Sequence, residues 1–194
     1  MYEYICGNIT GLTPASVIVE AGSIGYFINI SINTYSVING KKEVKLFLHQ
    51  IVREDAHLLY GFFQYEEREM FRMLILVNGI GSNIALMMLS SLSVDEIQTA
   101  ILSENVQVLK GIKGIGAKTA QRVIIDLKDK ISRTSGAEPV AMAAANNTVR
   151  EEALSALTML GFARKNIEKI ISQIQSDMPD ISIEEMVKQA LKKL

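Results

Sequence analysis

The sequence predicts an α+β protein of several domains, in which a small β-barrel precedes helical regions. With 194 residues, the chain is long enough for two or three small domains. At Gln64 the period of the apolar residues changes from two to about 3.6, which marks a change from strands to helices. Small and polar residues then interrupt the helical pattern. We therefore expect a barrel over residues 1–64, a helical domain over 65–132, a flexible linker over 133–147 and a three-helix domain over 148–194.

Five segments of the first region are rich in β-branched and aromatic residues, as is typical of strands. Gly22 and Ser23 lie between two of them and predict a two-residue hairpin turn. Closing five strands into a barrel removes the exposed sheet edges. The predicted strands are residues 4–9, 16–21, 24–30, 44–51 and 56–62.

Capping patterns and glycines divide the rest of the chain into helices. Glycine commonly follows the end of a helix, and we expect such stops at Gly79, Gly111 and Gly161. Capping boxes predict three helix starts. These boxes run from Ser93 to Glu96, from Thr148 to Glu151 and from Ser182 to Glu185.

The overall composition excludes several classes of protein. The 20 basic and 21 acidic residues give a net charge of -1, so a nucleic-acid-binding face would have to gather its positive charges locally. No apolar run is long enough to cross a membrane, and the first residues lack a secretory signal, so we expect a cytoplasmic location. The lone Cys6 is expected to be a small core residue, and His49 and His57 ordinary sheet residues without a metal.

A repeated glycine turn is the most informative motif. Residues 76–85 and 112–120 both contain an apolar residue, one variable residue, Gly-Ile-Gly, three further residues and Ala. Each copy lies between helical patterns, so the unit is a helix, a tight turn and a helix. Such a turn lets an anion approach the backbone at the positive end of a helix. The repeat therefore predicts two phosphate-binding turns.

The phosphate is not expected to belong to a nucleotide. A Walker motif that begins at Gly111 requires lysine at position 117, which is Ala117, and no strand precedes it. The dinucleotide fingerprint fails as well, because Ile84 and Thr119 stand where its third glycine is needed. Lys118 and Arg122 instead lie four residues apart on one helical face, which favours contact with a DNA backbone.

The whole chain resembles the RuvA family of Holliday-junction-binding proteins. The most specific segments are residues 52–62, 78–81, 113–122 and 152–161. The resemblance implies an N-terminal OB-fold barrel, a tandem helix-hairpin-helix domain, a flexible linker and a C-terminal UBA-like domain. We accordingly expect backbone contacts with DNA from Gly79, Ile80, Gly81, Ser82 and Asn83 in the first turn and from Lys113, Gly114, Ile115, Gly116, Lys118, Thr119 and Arg122 in the second.

Further roles follow from the resemblance alone. It implies that Glu54 and Asp55 form an acidic pin at the centre of a junction, with Arg53 as a basic neighbour. It also implies docking of a RuvB-like hexameric ATPase, for which we expect Met159, Leu160 and Phe162. Ser82 and Asn83 depart from the family pattern, where many relatives carry a basic residue, so the first turn lacks one positive charge.

The expected function is that of a non-catalytic scaffold in recombination, DNA repair and the SOS response. A homotetramer, or a pair of tetramers, would hold a four-way junction open and flat, and a RuvC-like resolvase would be a further partner. The chain itself needs no cofactor, since ATP and Mg²⁺ belong to the motor. Two alternatives remain at this point. One is a duplex-binding module indifferent to DNA structure, and the other is a helix-hairpin-helix repair enzyme, for which Asp126 and Asp129 are the only nearby acids.

Overall fold

The computed structural model describes residues 2–135, 144–178 and 181–193, and the predicted α+β architecture is confirmed. The chain divides into two compact units, residues 1–136 and 137–194. The first unit contains β1 (Tyr4–Thr13), β2 (Ser16–Ala21), β3 (Ile24–Ile30), α1 (Ile32–Ile38), β4 (Glu43–Val52), β5 (His57–Phe62), α2 (Tyr65–Ile75), α3 (Ser82–Ser91), α4 (Val94–Leu102), α5 (Val106–Lys110) and α6 (Ala117–Ser135). The second contains α7 (Ala144–Met159), α8 (Arg164–Asp177) and α9 (Ile183–Lys193).

The five strands form a closed barrel in the order β1, β2, β3, β5, β4. All neighbours are antiparallel except β3 and β5, whose parallel pairing closes the barrel. Alternate residues such as Val17 and Val19 point inward and are fully buried. Gly7 is required by the close approach of β1 and β2, because a Cβ atom at this position would lie 2.1 Å from the carbonyl oxygen of Glu20.

Helix α1, between β3 and β4, is an element that the sequence analysis did not predict. Its N-cap is Ser31, whose hydroxyl accepts a hydrogen bond from the Thr34 N–H at 3.0 Å. Asn33 donates from its side chain to the carbonyl oxygens of Leu89 and Leu92, at 2.6 and 3.1 Å. The helix thereby ties the barrel to the end of α3.

Helix α2 packs against the barrel and merges its core with that of the helices. The Phe71 ring lies 5.0 Å from the rings of both Tyr60 and Phe62, measured between centroids. Beside it, the buried Arg68 forms an ion pair with Glu3 at 2.6 Å and its guanidinium lies over the Tyr65 ring. The predicted boundary after residue 64 is therefore a change of secondary structure inside one compact unit.

The predicted helix ends were partly confirmed. The Ser93 and Glu96 capping box is present, Gly111 is the C-cap of α5, and the Ser182 hydroxyl accepts from the Glu185 N–H at 3.3 Å. The capping box predicted at Thr148 is wrong, because α7 begins at Ala144 and position 148 lies inside the helix. Alanine is the strongest helix former, so the preceding alanines favour an earlier start.

The predicted linker overlaps the ends of two helices. Helix α6 continues to Ser135 and α7 begins at Ala144, so residues 133–135 and 144–147 are helical. The remaining residues of the predicted linker, 136–143, lie outside the described residues. The second unit has the predicted three helices, which pack around a core of Ala153, Leu154, Leu157, Ile167, Ile171, Ile174, Met186 and Ala190.

Cys6 differs from its prediction as a core residue. It is exposed, because on β1 it lies next to the inward-pointing Ile5 and therefore faces outward. His49 is an ordinary sheet residue, as predicted, and its ring packs edge-on against Phe71 with the centroids 5.5 Å apart. Burial, followed by the charges of Arg72 and Arg68, lowers the pKa of His49.

Within the described ranges, no single helix is both long and apolar enough to cross a membrane. Helices α3 and α4 meet that test only when they are taken together, and the pair is bent by 100°.

A buried carboxyl group joins α1 to α2. Glu67 accepts hydrogen bonds from Ser31 and from the Thr34 hydroxyl, the latter at 2.7 Å. Burial raises the pKa of Glu67, and these two hydrogen bonds offset part of that increase. A raised folded pKa means that the contribution of Glu67 to stability is complete below its unfolded pKa of about 4.3 and decreases as the pH rises through the folded value.

We expect Glu67→Gln to change the pH dependence of folding. The free energy of unfolding of the variant, relative to the natural chain, should increase between pH 4 and pH 7, because the variant has no carboxyl group to ionise. The increase should be about 1.4 kcal/mol for each unit by which folding raises the pKa. Denaturant titrations at several pH values measure it. Glu66→Gln, on the exposed side of the same helix, is the control, and equal curves for the two variants would contradict the prediction.

Candidate nucleic-acid interface

The two Gly-Ile-Gly turns have the same geometry. In the first, between α2 and α3, the Ile80 N–H donates to the Val77 carbonyl at 3.0 Å. In the second, between α5 and α6, the Ile115 N–H donates to the Ile112 carbonyl at 3.1 Å. The first glycines have φ values of 95° at Gly79 and 92° at Gly114, which favour glycine. The sequence repeat is therefore also a structural repeat.

The central isoleucines hold the turns in place from inside. The side chains of Ile80 and Ile115 are 4% and 5% exposed, and both belong to the helical core. Their N–H groups are already used in the turn hydrogen bonds. The structure therefore directs these two predicted contact residues inward, and the contacts with a ligand are left to their neighbours.

Each turn is followed directly by the first residues of a helix. The Ala85 N–H closes the first turn of α3 onto the Gly81 carbonyl at 3.0 Å, and the Ala120 N–H closes that of α6 onto the Gly116 carbonyl at 2.9 Å. The N–H groups that precede these bonds in each helix have no intrahelical acceptor. Together with the positive end of the helix dipole, such N–H groups suit the binding of an anion.

The second glycine of each turn leaves the approach to these N–H groups open. A Cβ atom built at Gly81 or Gly116 would meet no atom within 4 Å. Gly81 has an ordinary φ of -84°, so its backbone would accept a side chain without strain. The missing side chain at this position therefore provides space for a ligand rather than a special conformation.

The two turns lie side by side and contact each other's helices. A Cβ atom at Gly79 would lie 4.0 Å from the Thr119 hydroxyl oxygen, and one at Gly114 would lie 3.8 Å from Ile84. Ile84 and Thr119 are equivalent positions in the two copies. The contacts are therefore reciprocal, and both helix starts open onto one surface, which we call the twin-turn surface: residues 78–83 and 113–122.

Three exposed basic residues lie on the twin-turn surface. Lys113 and Lys118 have no carboxylate partner within 4 Å in the described part of the chain. Arg122 donates from Nη1 to the Asn78 carbonyl at 3.5 Å and so reaches from the second hairpin to the first. Farther along α6, Lys128 forms an ion pair with Glu104. The uncompensated charge is thus concentrated at the start of α6.

Ser82 serves the fold with its side chain. It is buried, and its hydroxyl accepts a hydrogen bond from the Tyr60 hydroxyl at 2.9 Å. Strand β5 is thereby attached to the first turn, a contact that the sequence analysis missed because nothing local pairs these two residues. Only the Ser82 backbone remains for the predicted DNA contact, whereas the neighbouring Asn83 is exposed.

The predicted pin lies at the tip of the β4–β5 hairpin. Glu54 and Asp55 are exposed there, and the Arg53 N–H donates to the Ala56 carbonyl at 2.8 Å to close the tip. Next to the last strand pair before the tip, Ile51 and Leu58 are paired across the strands and pack against the core of the helices. The hairpin that carries the acidic pair is therefore held by the same core as the glycine turns.

The two acids considered for the alternative repair enzyme lie on α6. Asp126 and Asp129 are exposed, and no group of three or more His, Cys, Asp or Glu residues within the described ranges could hold a metal ion.

In the second unit, an exposed apolar patch lies where α7 ends. Met159 is 87% exposed, Leu160 60% and Phe162 36%. Gly161 makes the turn with a φ of 95°, and the Phe162 N–H donates to the Leu157 carbonyl at 3.3 Å. Arg164 at the start of α8 pairs with Glu168 beside the patch. The three predicted docking residues are thus presented together on a turn with a defined conformation.

Comparisons with known proteins cover the entire chain. Three family models match it: the RuvA N terminal domain over residues 1–61, the SAM-like helix-hairpin-helix tandem over 71–129 and the RuvA C-terminal domain over 148–194. The chain is 48% identical to a protein of Bacteroides fragilis and 46% identical to one of Flavobacterium psychrophilum, each over 100% of both chains. Both are named Holliday junction branch migration complex subunit RuvA. The chain belongs to the RuvA family.

The RuvA-family models agree with the structural description of the site. The helix-hairpin-helix tandem includes both glycine turns, and the N-terminal model includes the β4–β5 hairpin with the acidic pair. The exposed apolar patch of the second unit lies within the C-terminal model.

We expect Gly116→Ala to reduce DNA affinity at least about tenfold with little effect on stability. The added methyl group meets no protein atom, so it obstructs only a ligand that approaches the helix start. Gly114→Ala should reduce both affinity and stability, because a left-handed backbone costs a residue with a side chain about 1–2 kcal/mol. Thermal denaturation and fluorescence anisotropy with labelled DNA measure the two effects.

Gly40→Ala is the matched control for this prediction. Gly40 also has a positive φ, of 82°, with nothing near its missing side chain, and it lies in the loop between α1 and β4. The variant should lose stability and keep its DNA affinity. Natural affinity in Gly116→Ala would show that no phosphate comes close to this turn.

Proposed function

We propose that this RuvA-family chain binds four-way DNA junctions as a homotetramer and acts as the non-catalytic subunit of a branch migration complex. The observation that carries the proposal is the twin-turn surface, where two helix starts with unpaired N–H groups open side by side. Lys113, Lys118 and Arg122 surround them with positive charge. The names of the full-length relatives support the same function.

The proposed contacts are with the phosphate backbone and not with the bases. Main-chain N–H groups and lysine side chains bind phosphate oxygens, and such contacts position a duplex without reading its sequence. The hairpins present short turns, not a long helix face that could lie in a major groove. Binding independent of sequence suits a protein that must follow a junction as it moves along DNA.

The acidic pin is proposed to act on the junction centre. Carboxylates held beside phosphates repel them, so Glu54 and Asp55 would keep backbone away from the point where four arms meet and help to separate strands. Both are exposed at the tip of a hairpin that packs against the helical core just below the tip, through Ile51 and Leu58. Arg53, beside them, would supply one positive contact for a strand that passes the pin.

A cyclic tetramer would match the four arms of the junction. The outer face of the barrel offers apolar surface for such an assembly, because Ile18 and Phe27 are paired across β2 and β3 and are 38% and 60% exposed. Exposed apolar residues that lie together often mark an interface. The mass of the protein on the junction, measured by light scattering, distinguishes one tetramer from two.

The second unit is proposed to recruit a RuvB-like hexameric ATPase. The partner would use ATP and Mg²⁺, and the chain would need no cofactor of its own. Met159, Leu160 and Phe162 offer an apolar surface on a turn of fixed conformation. A RuvC-like resolvase would be a further partner of the opened junction.

We expect the natural chain to bind a four-way junction at least about tenfold more tightly than linear duplex of the same arm sequence. The measurement is a gel-shift titration with Mg²⁺ and excess competitor DNA, with the protein mass determined by light scattering. Junction preference by a tetramer or octamer supports the proposal. Equal affinity for both DNAs, shown by a monomer, would instead favour the module that is indifferent to DNA structure.

The same titration tests the pin with the variant Glu54→Gln, Asp55→Asn. Neutral side chains of the same shape remove the repulsion, so junction affinity should remain equal or increase while linear-duplex affinity stays unchanged. A large loss of junction affinity would show that the two carboxylates do not repel phosphate at the junction centre.

We expect Met159→Ser to weaken binding of the RuvB-like ATPase about tenfold or more and to leave DNA affinity unchanged. Because Met159 is almost fully exposed, the substitution should change the free energy of unfolding of the protein by less than about 0.5 kcal/mol. Surface plasmon resonance with the immobilised chain measures the interaction. Met178→Ser changes another exposed methionine, at the opposite end of α8, and serves as the control. Equal binding by both variants would remove this patch from the interface.

A further inference from the structure

The two turns of the twin-turn surface have the same backbone but carry different charges. In the second turn, Lys113 precedes the first glycine and Lys118 is the second residue of α6. The equivalent positions in the first turn are Asn78 and Asn83. The first turn therefore has no cation of its own at the two positions where the second turn has lysine.

Arg122 of the second hairpin lies against the first turn. Its Nη1 donates to the Asn78 carbonyl at 3.5 Å. One helical turn earlier, Thr119 has its hydroxyl oxygen 4.0 Å from where a Cβ atom of Gly79 would lie. One face of α6 thus borders the first turn at two points, so the base of the Arg122 side chain lies beside this turn and the hydrogen bond directs its guanidinium there.

The guanidinium has donors to spare at this position. It carries five N–H groups in a fixed fork, and within the described ranges only one of them is occupied, by the Asn78 carbonyl. Arg122 is exposed and has no carboxylate within 4 Å among the described residues. A planar fork with free donors is the side chain best suited to bidentate contact with a phosphate.

Among the described residues, no charged side chain of the first hairpin donates to the second turn in the way that Arg122 donates to the first. The residue of α3 equivalent to Arg122 is Met87, which is partly exposed and uncharged. The second turn relies on its own Lys113 and Lys118, whereas the first has a neutral side chain at each equivalent position. Only the second hairpin therefore places a charged side chain against the turn of the other hairpin.

We propose that Arg122 supplies the charge that the first turn lacks, so that one phosphate is held by the helix start of the first hairpin and by the guanidinium of the second. The inference rests on the proposed binding of DNA backbone and deepens it. It makes the first turn a composite site, whose affinity depends on a residue outside its own hairpin. The two turns are then coupled in their binding of DNA.

The test is a double-mutant cycle with linear duplex and with junction, measured by anisotropy at several salt concentrations. Arg122→Ala should weaken binding about tenfold and lower the salt slope by about one, the effect of one lost phosphate contact. Asn83→Lys places a lysine in the first turn at the position equivalent to Lys118. In the Arg122→Ala background it should restore affinity to within about threefold of the natural chain, together with the lost salt slope.

Lys118→Ala is the matched control background. Lys118 lies four residues before Arg122 on the same face of α6 but belongs to the second turn. Asn83→Lys should restore the DNA affinity that Arg122→Ala loses. In the Lys118→Ala background it should increase DNA affinity only by the small factor that it gives in the natural chain. Equal gains in all three backgrounds would overturn the inference.

Arg122→Gln separates charge from structural support. Glutamine keeps a neutral amide donor at this position but carries no charge, so the variant should bind DNA as weakly as Arg122→Ala while it unfolds at the natural temperature. Natural affinity in Arg122→Gln would show that Arg122 only braces the turn and would overturn the inference. The cycle needs only backbone binding, so lack of junction preference would contradict the proposed function alone, and lack of any DNA affinity in the natural chain would contradict both.

Discussion

The packing of α2 against the barrel is the contact on which the rest of the first unit depends. Phe71 fills the space beside Tyr60 and Phe62, and Arg68 fixes the same helix to Glu3 at the start of β1. This packing joins the barrel to the helices, together with α1, which contacts the end of α3. With it, the strand that carries Tyr60 also holds Ser82, so the first glycine turn is attached directly to the barrel. The β4–β5 hairpin and the two glycine turns thus pack on one core.

A shared core allows opposite charges to act at different places on one ligand. The chain as a whole has a net charge of only -1, so its field does not attract DNA from every side. Positive residues concentrate at the start of α6, and the acidic pair lies at the tip of the β4–β5 hairpin. Attraction at the arms and repulsion at the centre would then orient a junction, because binding in the wrong place brings phosphate to carboxylate.

The sequence predicted those features that depend on local chemistry. The twin glycine turns, the Ser93 capping box and the five strands follow from residue type and spacing, and the structure contains all of them. Features that depend on distant packing were missed or wrong. Helix α1 is held by the hydrogen bonds of Asn33 with the end of α3 and of Thr34 with Glu67 on α2. Ser82 is buried and bonded to Tyr60, a strand residue distant in sequence. Helix α7 begins at Ala144, before the predicted capping box at Thr148, because alanine has a high helix propensity.

The twin turns also separate two requirements that a glycine motif usually combines. Gly79 and Gly114 are needed for a left-handed backbone, whereas Gly116 meets no neighbour and is needed only to leave space. The first requirement is identical in both copies because it makes the turn itself. Charge is subject to no such constraint, so the first copy carries asparagine at both positions where the second carries lysine, although the turn backbone is the same. A helix start that keeps its N–H groups can take its cation from a neighbouring hairpin, provided that the two hairpins stay packed together. The reciprocal contacts of Gly79 with Thr119 and Gly114 with Ile84 supply that packing. Such a tandem can therefore lose charge in one hairpin as long as the other retains it.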